Sequence, residues 1–490
     1  MRRNPTRFLF SLFCALVLAG CAGVQLPSTT PAGTCEAWLG QLDALVDSAG
    51  VRDAEAHRPA GFAYLRSNRL LASFAGEASG NEKFRDWIDA LRALDQQARE
   101  VEIANLPAAS MGVLEVAGKA AAFARALQCG NNLAALISAE SDVAKQLRRD
   151  VQVPDSYSTA ARAVGLYAIS SIPFFAGVSR WQQETEIEFW RIAALGVQPN
   201  SVTYQPSQRV ANITEATSLV QRAKRNSLGI PQFDKRQQQD ILAAFAPVFE
   251  IETLGDDDRP GTLVWKNNRD IAVETQHARV YQRLAYTRFN GEVLPQLVYT
   301  IWFSRRPKNS AIDLLGGELD GVTVRITLDR AGRPLLADSI HACGCYQMFF
   351  PDARLRVRPT PEARSEWAFV PALLPAGVAT SPLLVRLAAR THYVTGIDVA
   401  TKPDGTKYEL IDEQVLRKLP AADGTTRSIF GGDGLIAGSE RAERFLFWPM
   451  GIASAGAMRQ WGNHATAFVG RRHFDDADLL EKRFEIVAGN

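Results

Sequence analysis

The hydrophobic pattern of this chain changes near residue 248, and that change limits what the chain can fold into. Before it, apolar residues recur at helical spacing, as in Trp38, Leu39, Leu42 and Leu45. After it, short runs rich in Val, Ile, Thr, Tyr and Phe alternate with turn residues, which is typical of strands. We therefore predict an α+β fold, with an N-terminal helical bundle followed by a mostly antiparallel β-rich domain.

The 490 residues give room for two or three domains. We predict a helical domain over residues 35–195, a connecting segment over residues 196–245, and a β-rich domain over residues 246–490 that ends in a helix over residues 475–483.

The β-rich part has recognisable hairpins. Asn290 and Gly291 separate two strand-like runs within residues 280–303, and such a pair supplies the positive φ angles of a tight turn. A second hairpin is predicted over residues 322–340. Further strands are expected at residues 383–387, 393–399, 407–411 and 444–448.

One stretch of the helical half, residues 163–179, carries no formal charge. It is at the short edge of the length that a membrane span needs, and Pro173 and Gly177 interrupt it. We expect a buried helix and turn there.

The charge balance argues against nucleic-acid binding. The formal net charge is +2, and residues 1–20 contain three arginines and no acidic residue. The rest of the chain is therefore close to neutral, and it has no dense run of Lys or Arg to attract a polyanion.

The first twenty residues have the layout of a secretory signal. Arg2, Arg3 and Arg7 precede an apolar core over residues 8–18, and small residues follow before Cys21. The order Leu18, Ala19, Gly20, Cys21 resembles the lipobox of bacterial lipoproteins.

That resemblance implies that Cys21 carries diacylglycerol, becomes the new N-terminus and is acylated there with a chain such as palmitate. Several acyl chains make membrane attachment effectively permanent. Ala22 after the cysteine implies an outer-membrane destination, with the body facing the periplasm. Residues 21–34 would form a lipidated flexible tether of roughly 20 Å reach.

Export would place the remaining cysteines in an oxidising compartment, and Cys35, Cys129, Cys343 and Cys345 remain after the signal and the lipidated cysteine are set aside. Four cysteines allow three pairings. We favour a structural disulfide between Cys35 and Cys129, because one opens the first helix of the bundle and the other closes a later helix.

The stretch His341, Ala342, Cys343, Gly344, Cys345 is chemically unusual. Three interpretations stand: a disulfide between Cys343 and Cys345, a zinc or copper site of His341, Cys343, Cys345 and His392, and two ordinary buried thiols. On a continuing strand these side chains share one face, yet they spread over about 13 Å, so a metal site requires a bend at Gly344.

Residues 445–468 are dense in aromatic side chains, with Arg441, Arg444 and Arg459 interspersed. They predict either a groove for a peptide, glycan or lipid tail or a packed core element. The chain has no nucleophile elbow, zinc-protease helix or phosphate-binding loop motif.

Two functions follow. The first is a membrane-anchored envelope lipoprotein that acts without catalysis, through an interaction surface for an envelope protein, peptide, glycan or lipid. The alternative is a metal- or thiol-dependent redox or hydrolytic protein that uses the stretch around Cys343.

Overall fold

The computed structural model describes residues 30–487, except residues 197, 208–211, 268, 311 and 402–404. The predicted signal peptide, Cys21 and most of the predicted tether lie outside the described residues. The α-helices are α1 (Pro31–Ser48), α2 (Arg69–Ser73), α3 (Asn81–Asn105), α4 (Ser110–Val113), α5 (Lys119–Ala135), α6 (Asp142–Asp150), α7 (Thr159–Val164), α8 (Tyr167–Leu195), α9 (Ile213–Arg222), α10 (Lys235–Ala244), α11 (Arg444–Phe447) and α12 (Leu479–Arg483).

The strands are β1 (Ser201–Pro206), β2 (Val248–Glu252), β3 (Thr262–Trp265), β4 (Ile271–Glu274), β5 (Arg279–Phe289), β6 (Glu292–Arg306), β7 (Gly317–Leu328), β8 (Pro334–His341), β9 (Met348–Pro351), β10 (Leu355–Val357), β11 (Leu383–Leu387), β12 (Val394–Val399), β13 (Thr406–Asp412), β14 (Leu419–Pro420), β15 (Thr426–Arg427) and β16 (Phe484–Ile486). Short 3-10 helices are Asp256–Asp258, Ala376–Ala379, Glu413–Lys418 and Trp448–Met450.

Within the described residues the largest sheet has ten strands in the order β12-β11-β2-β1-β13-β5-β6-β7-β8-β9. The pairs β11 with β2, β1 with β13 and β13 with β5 are parallel. The α+β class is confirmed, but the sheet is mixed and curled rather than plainly antiparallel, because strands distant in the chain insert beside one another.

Helices α1 to α6 form the predicted N-terminal bundle around a core that includes Trp38, Leu42, Trp87 and Leu91. A disulfide joins Cys35 on α1 to Cys129 on α5, which confirms the favoured pairing. Helix α1 begins at Pro31, because Thr30 caps it by accepting a hydrogen bond from the Gly33 N–H at 3.0 Å. The last four residues of the predicted tether are therefore helical.

The predicted connecting segment contributes to the sheet. Strand β1 lies between β2 and β13, and helices α9 and α10 pack Ile213, Val220 and Ile241 against the core of the sheet. The sequence of β1, Ser-Val-Thr-Tyr-Gln-Pro, alternates Val202 and Tyr204 with polar residues, but the run is only six residues long and ends in proline, so it did not stand out as a strand.

Both hairpins are confirmed. Strands β5 and β6 meet at Asn290 and Gly291, whose φ angles are 51° and 75°, and β7 pairs with β8 in the second hairpin. The strand predicted at residues 444–448 is wrong, since α11 and a 3-10 turn occupy it. Proline at position 449 withholds the N–H that a sheet ladder needs.

A buried ionic network holds the bundle against the sheet. Arg417 donates to Asp53 at 2.7 Å and to Glu55 at 3.0 Å, while Arg283 on β5 donates to Glu55 at 2.5 Å and to Glu413 at 3.0 Å. Burial alone would raise the pKa of Glu55, but the two guanidinium groups lower it to about 2. The carboxylate therefore stays charged and fixes the two halves of the protein in register.

Helix α8 lies over the seam between the two edges of the curled sheet. Phe189 stacks on Phe350 of edge strand β9 with ring centroids 5.9 Å apart, and Ile192 packs over Gly396 of edge strand β12. Helix α8 was assigned from sequence to the helical domain, but it belongs structurally to the sheet.

The uncharged stretch over residues 163–179 falls on α7 and α8, and the expectation that it is buried is wrong. Most of its residues are exposed, since α8 contacts the protein along one narrow face. Searched over the described part of the chain, the helices include none with the length and apolar character to cross a membrane.

Candidate functional site

The structure brings His341 and His392 together through one carboxylate. Asp320 Oδ2 lies 2.8 Å from His392 Nδ1, and Asp320 Oδ1 lies 3.5 Å from His341 Nδ1. On the far side of its ring, His392 Nε2 is 3.6 Å from Asp258 Oδ1. All four side chains are buried. We call these four residues the His-Asp cluster.

The sheet register places the cluster. His341 is the last residue of β8 and lies opposite Val322 of β7, so Asp320, two residues earlier on β7, is its diagonal neighbour on the same face. His392 comes from the loop between β11 and β12, where it has a φ of 52° that non-glycine residues rarely adopt. Its ring stacks on Phe303 with centroids 3.8 Å apart, and this contact holds the strained loop in place.

The charges of the cluster follow from its geometry. Burial disfavours a charged Asp320, but His341 and His392 outweigh burial and hold the Asp320 pKa well below its usual range. Burial also opposes the charged form of His392, yet the carboxylates of Asp258 and Asp320 on either side of the ring raise its pKa. Burial wins at His341 and lowers its pKa. The arrangement therefore favours an imidazolium at His392 between two carboxylates and a neutral imidazole at His341.

The chain turns sharply after His341, so residues 341–345 do not continue as a strand. The Gly344 N–H donates to the His341 carbonyl at 2.7 Å, and the His341 N–H donates to the Cys345 carbonyl at 3.0 Å. Gly344 has a φ of 95°, and a Cβ there would lie 2.5 Å from the Ala465 carbonyl oxygen, so the turn requires glycine.

Cys343 and Cys345 are free thiols, so the disulfide predicted between them is not formed in the structure. The turn brings the two thiols next to each other. The pKa of Cys345 is raised mainly by a hydrogen bond with Cys343 and, to a smaller extent, by burial. The predicted metal site is wrong as well. His341 and His392 turn to Asp320 instead of to the thiols, and no group of three or more metal-ligating side chains converges among the described residues.

A cavity of about 510 Å³ lies between α8, α11 and the loops before β9 and β12. Its walls are mainly apolar and aromatic. The rings that form them are Phe174, Trp181, Tyr346, Phe369, Tyr393, Phe447 and Phe468. The indole of Trp181 contacts the rings of Tyr346 and Phe369 at centroid distances of 5.2 and 5.4 Å. Helix α8 therefore forms one wall and the curled end of the sheet forms the other.

The polar side of the cavity rests on the His-Asp cluster. The ring of His341 packs against those of Tyr346 and Tyr393 at 5.0 and 5.5 Å. Arg306 donates to the Tyr393 hydroxyl at 3.0 Å, and its guanidinium lies 5.0 Å from the centre of that ring. On the side away from the cavity, the two tyrosines therefore pack against His341, and Tyr393 also accepts a hydrogen bond from the charged Arg306.

Glu443 is a buried acid in the cavity wall. Burial raises its pKa to about 7, although Arg306 and Arg441 oppose the shift. No described hydrogen-bond donor is bonded to its carboxyl group, so near neutral pH this group can either donate or accept a hydrogen bond from an occupant of the cavity.

The aromatic segment predicted from sequence divides in the structure. Leu446, Phe447 and Phe468 line the cavity, as the groove interpretation predicts, whereas Trp461 and His464 lie elsewhere. Burial lowers the pKa of His464 to about 3, which is typical of a core imidazole. Sequence reasoning missed Phe174, Trp181, Tyr346 and Tyr393. The uncharged run over residues 163–179 was the available signal for Phe174.

Comparison with known proteins adds little to this geometry. No family model and no curated protein matches the chain. A solved structure described as "Toxin fold for microbial attack and plant defense" aligns with 37% of this chain and 77% of that chain, at 15% sequence identity and a TM-score of 0.22. A similarity at that TM-score carries no argument about fold or activity.

Asp320→Asn is expected to lower the free energy of unfolding by about 3 to 5 kcal/mol, because it removes one of the two carboxylates that neutralise His392 in a buried site. Denaturant unfolding measures this loss. Asp398→Asn is the matched control: that aspartate also forms an ion pair, with Arg386, but its side chain is 53% exposed, so it should lose no more than about 1 kcal/mol.

The same variant tests the charge assignment. Folded protein keeps Asp320 deprotonated at a pH where the unfolded chain is already protonated, so wild-type stability should fall as the pH drops below the ordinary aspartate value of 3.8. Asp320→Asn should flatten that slope. An unchanged slope together with a loss below about 1 kcal/mol would show that the cluster carries no such charge.

Proposed function

We propose that the folded body of this protein binds one amphiphilic molecule in the aromatic cavity and that the protein is held at the envelope membrane as a lipoprotein. The observation that carries the binding proposal is the cavity itself. It combines apolar walls with a few buried polar groups gathered on one side, an arrangement typical of small-molecule sites.

The lining favours a particular ligand chemistry. Aromatic walls favour an alkyl or acyl chain, whose burial contributes about 0.8 kcal/mol for each CH₂ group. Tyr346, Tyr393 and Glu443 favour an end group that forms hydrogen bonds, because polar groups left unpaired in such a cavity are penalised. The proposed ligand is therefore a long-chain amphiphile. Binding such a ligand requires no catalytic residue.

The anchoring proposal comes from the N-terminal sequence. A basic start, an apolar core and Cys21 at the end of Leu-Ala-Gly support lipidation of that cysteine and export to the outer membrane, with the body in the periplasm.

Thiol chemistry is the second candidate function. Cys345 lines the cavity and its thiol faces that of Cys343, which would suit a redox pair. The raised pKa of Cys345 opposes this function, since the thiolate is the reactive form. The geometry therefore supports binding more strongly than redox or hydrolytic work.

Gly177→Phe is expected to abolish binding of an apolar probe such as N-phenylnaphthylamine while the protein stays folded. Gly177 lines the cavity on α8, and a Cβ there meets no atom within 4 Å. The ring would therefore occupy the cavity mouth without backbone strain, and replacing glycine inside a helix favours the helix. Probe fluorescence and thermal unfolding measure the two effects.

Gly40→Phe is the control, because Gly40 is also an exposed helical glycine with open space at its Cβ position, on α1 far along the chain from the cavity. It should leave probe binding unchanged. Equal binding by both variants would place the probe outside the cavity and contradict the proposal.

Cys21→Ser is expected to abolish lipidation, so the protein should retain Met1 and lose its acyl chains when produced in its native host. Intact mass and the mass of the N-terminal peptide report both changes. Cys14→Ser provides the control, since Cys14 lies in the same apolar segment but outside the Leu-Ala-Gly-Cys sequence. A wild-type mass that still includes Met1 and lacks acyl chains would refute the anchor.

A further inference from the structure

An apolar surface covers the outer side of α7, α8 and α11. Its large side chains are Val164, Leu166, Ile169, Ile172, Phe445 and Trp448, and their exposed fractions range from 43% to 76%. Contiguous exposed apolar area of this kind marks a contact with a protein or a membrane. We call these six residues the apolar surface.

The two parts of the apolar surface are fixed to each other. A Cβ at Gly165 would lie 2.5 Å from Pro449 Cβ, so the link between α7 and α8 lies directly against the turn after α11. Phe174 and Phe447 contact edge to face with centroids 5.0 Å apart, and Arg162 donates to the Met450 carbonyl at 2.8 Å. The elements that carry the six exposed residues are therefore packed directly against one another.

The charge pattern around this face suits a lipid surface. No acidic residue occurs between residues 156 and 183, and residues 163–179 carry no charge. Arginines lie at the edges: the side chain of Arg180, which pairs with Glu184 at 2.9 Å, is 81% exposed, and the Arg444 guanidinium lies over the ring of Phe445 at 4.8 Å. Apolar side chains flanked by cations are typical of helices that lie in the headgroup region of a bilayer.

The cavity opens beside the apolar surface. Pro173, Gly177 and Leu446 line the cavity and are exposed, so the cavity rim is part of the same face. An acyl chain leaving a bilayer in contact with this face could enter the cavity without crossing water, where the exposure of each CH₂ group is unfavourable by about 0.8 kcal/mol.

We propose that the apolar surface docks on a lipid bilayer and that the cavity takes up the acyl chain of a membrane lipid. This inference rests on the proposed function, because it specifies the partner of the same cavity. The anchor supports a bilayer over a second copy of the chain: Pro31 is ten residue steps along the chain from Cys21, and ten steps span at most about 35 Å. A body so tethered remains within reach of the membrane surface.

Flotation with vesicles of phosphatidylethanolamine and phosphatidylglycerol in equal parts tests the docking. The protein used begins at Ala22, so it contains every described residue but lacks both the signal segment and the lipidated cysteine. It should float with the vesicles. Ile169→Glu combined with Ile172→Glu should reduce the bound fraction about tenfold, which corresponds to about 1.4 kcal/mol of binding free energy.

Two further variants sharpen the test. Phe445→Glu alters the same face from a different element and should also weaken flotation. Leu136→Glu, at the end of α5, changes a side chain as exposed as Ile169, 65% against 66%, but outside the apolar surface, and it should float like wild type. Unchanged thermal unfolding confirms that each variant is folded.

Failure of the wild-type chain to float, or flotation of the double variant at the wild-type level, would overturn the docking proposal. Dimers in solution that the double variant dissociates, without vesicle binding, would overturn it in favour of a second copy of the chain. Neither result affects cavity binding of the soluble probe or lipidation at Cys21, so failure of the docking and failure of the proposed function remain distinguishable.

Discussion

The contact of one carboxylate with two imidazoles closes the curled sheet. Asp320 belongs to β7, near one edge of the sheet. His392 lies two residues before β12, which forms the other edge. A buried carboxylate is very unfavourable unless charges and hydrogen bonds surround it. The sheet must therefore curl far enough to bring His392 to Asp320. The same closure brings Tyr346 and Tyr393 to one place, with ring centroids 4.6 Å apart.

Helix α8 covers the seam of the sheet that the His-Asp cluster closes. Its inner side covers the seam with Phe189 and Ile192 and presents Trp181 to the two tyrosines, while its outer side has no partner in the part of the chain that the structure describes. One helix thus joins the cavity, the edges of the sheet and the apolar surface. The ionic network around Glu55 holds the disulfide-linked bundle on another part of the sheet, so the bundle supports the fold without lining the cavity.

Local patterns in the sequence predicted the local structure well. The Asn290-Gly291 turn, the two long hairpins and the Cys35 to Cys129 bridge all depend on residues whose chemistry is readable without a fold. The cavity was not predictable, because its walls come from seven separate stretches of chain and no periodicity connects them. The metal prediction failed for a related reason. The spacing in the sequence placed His341 near two thiols. In the structure the chain turns at Gly344, and the His341 imidazole contacts Asp320 instead. The sequence gives no sign that Asp320 is the partner.

The central claim is that the cavity between α8 and the closed end of the sheet holds a long-chain amphiphile. Native mass spectrometry of the protein extracted from its own membranes in mild detergent tests this most directly. We expect a population carrying one additional non-covalent molecule per chain, identified after release as a lipid or fatty acyl compound. A mass equal to the chain and its covalent acyl groups alone, persisting after incubation with membrane lipids, would contradict it.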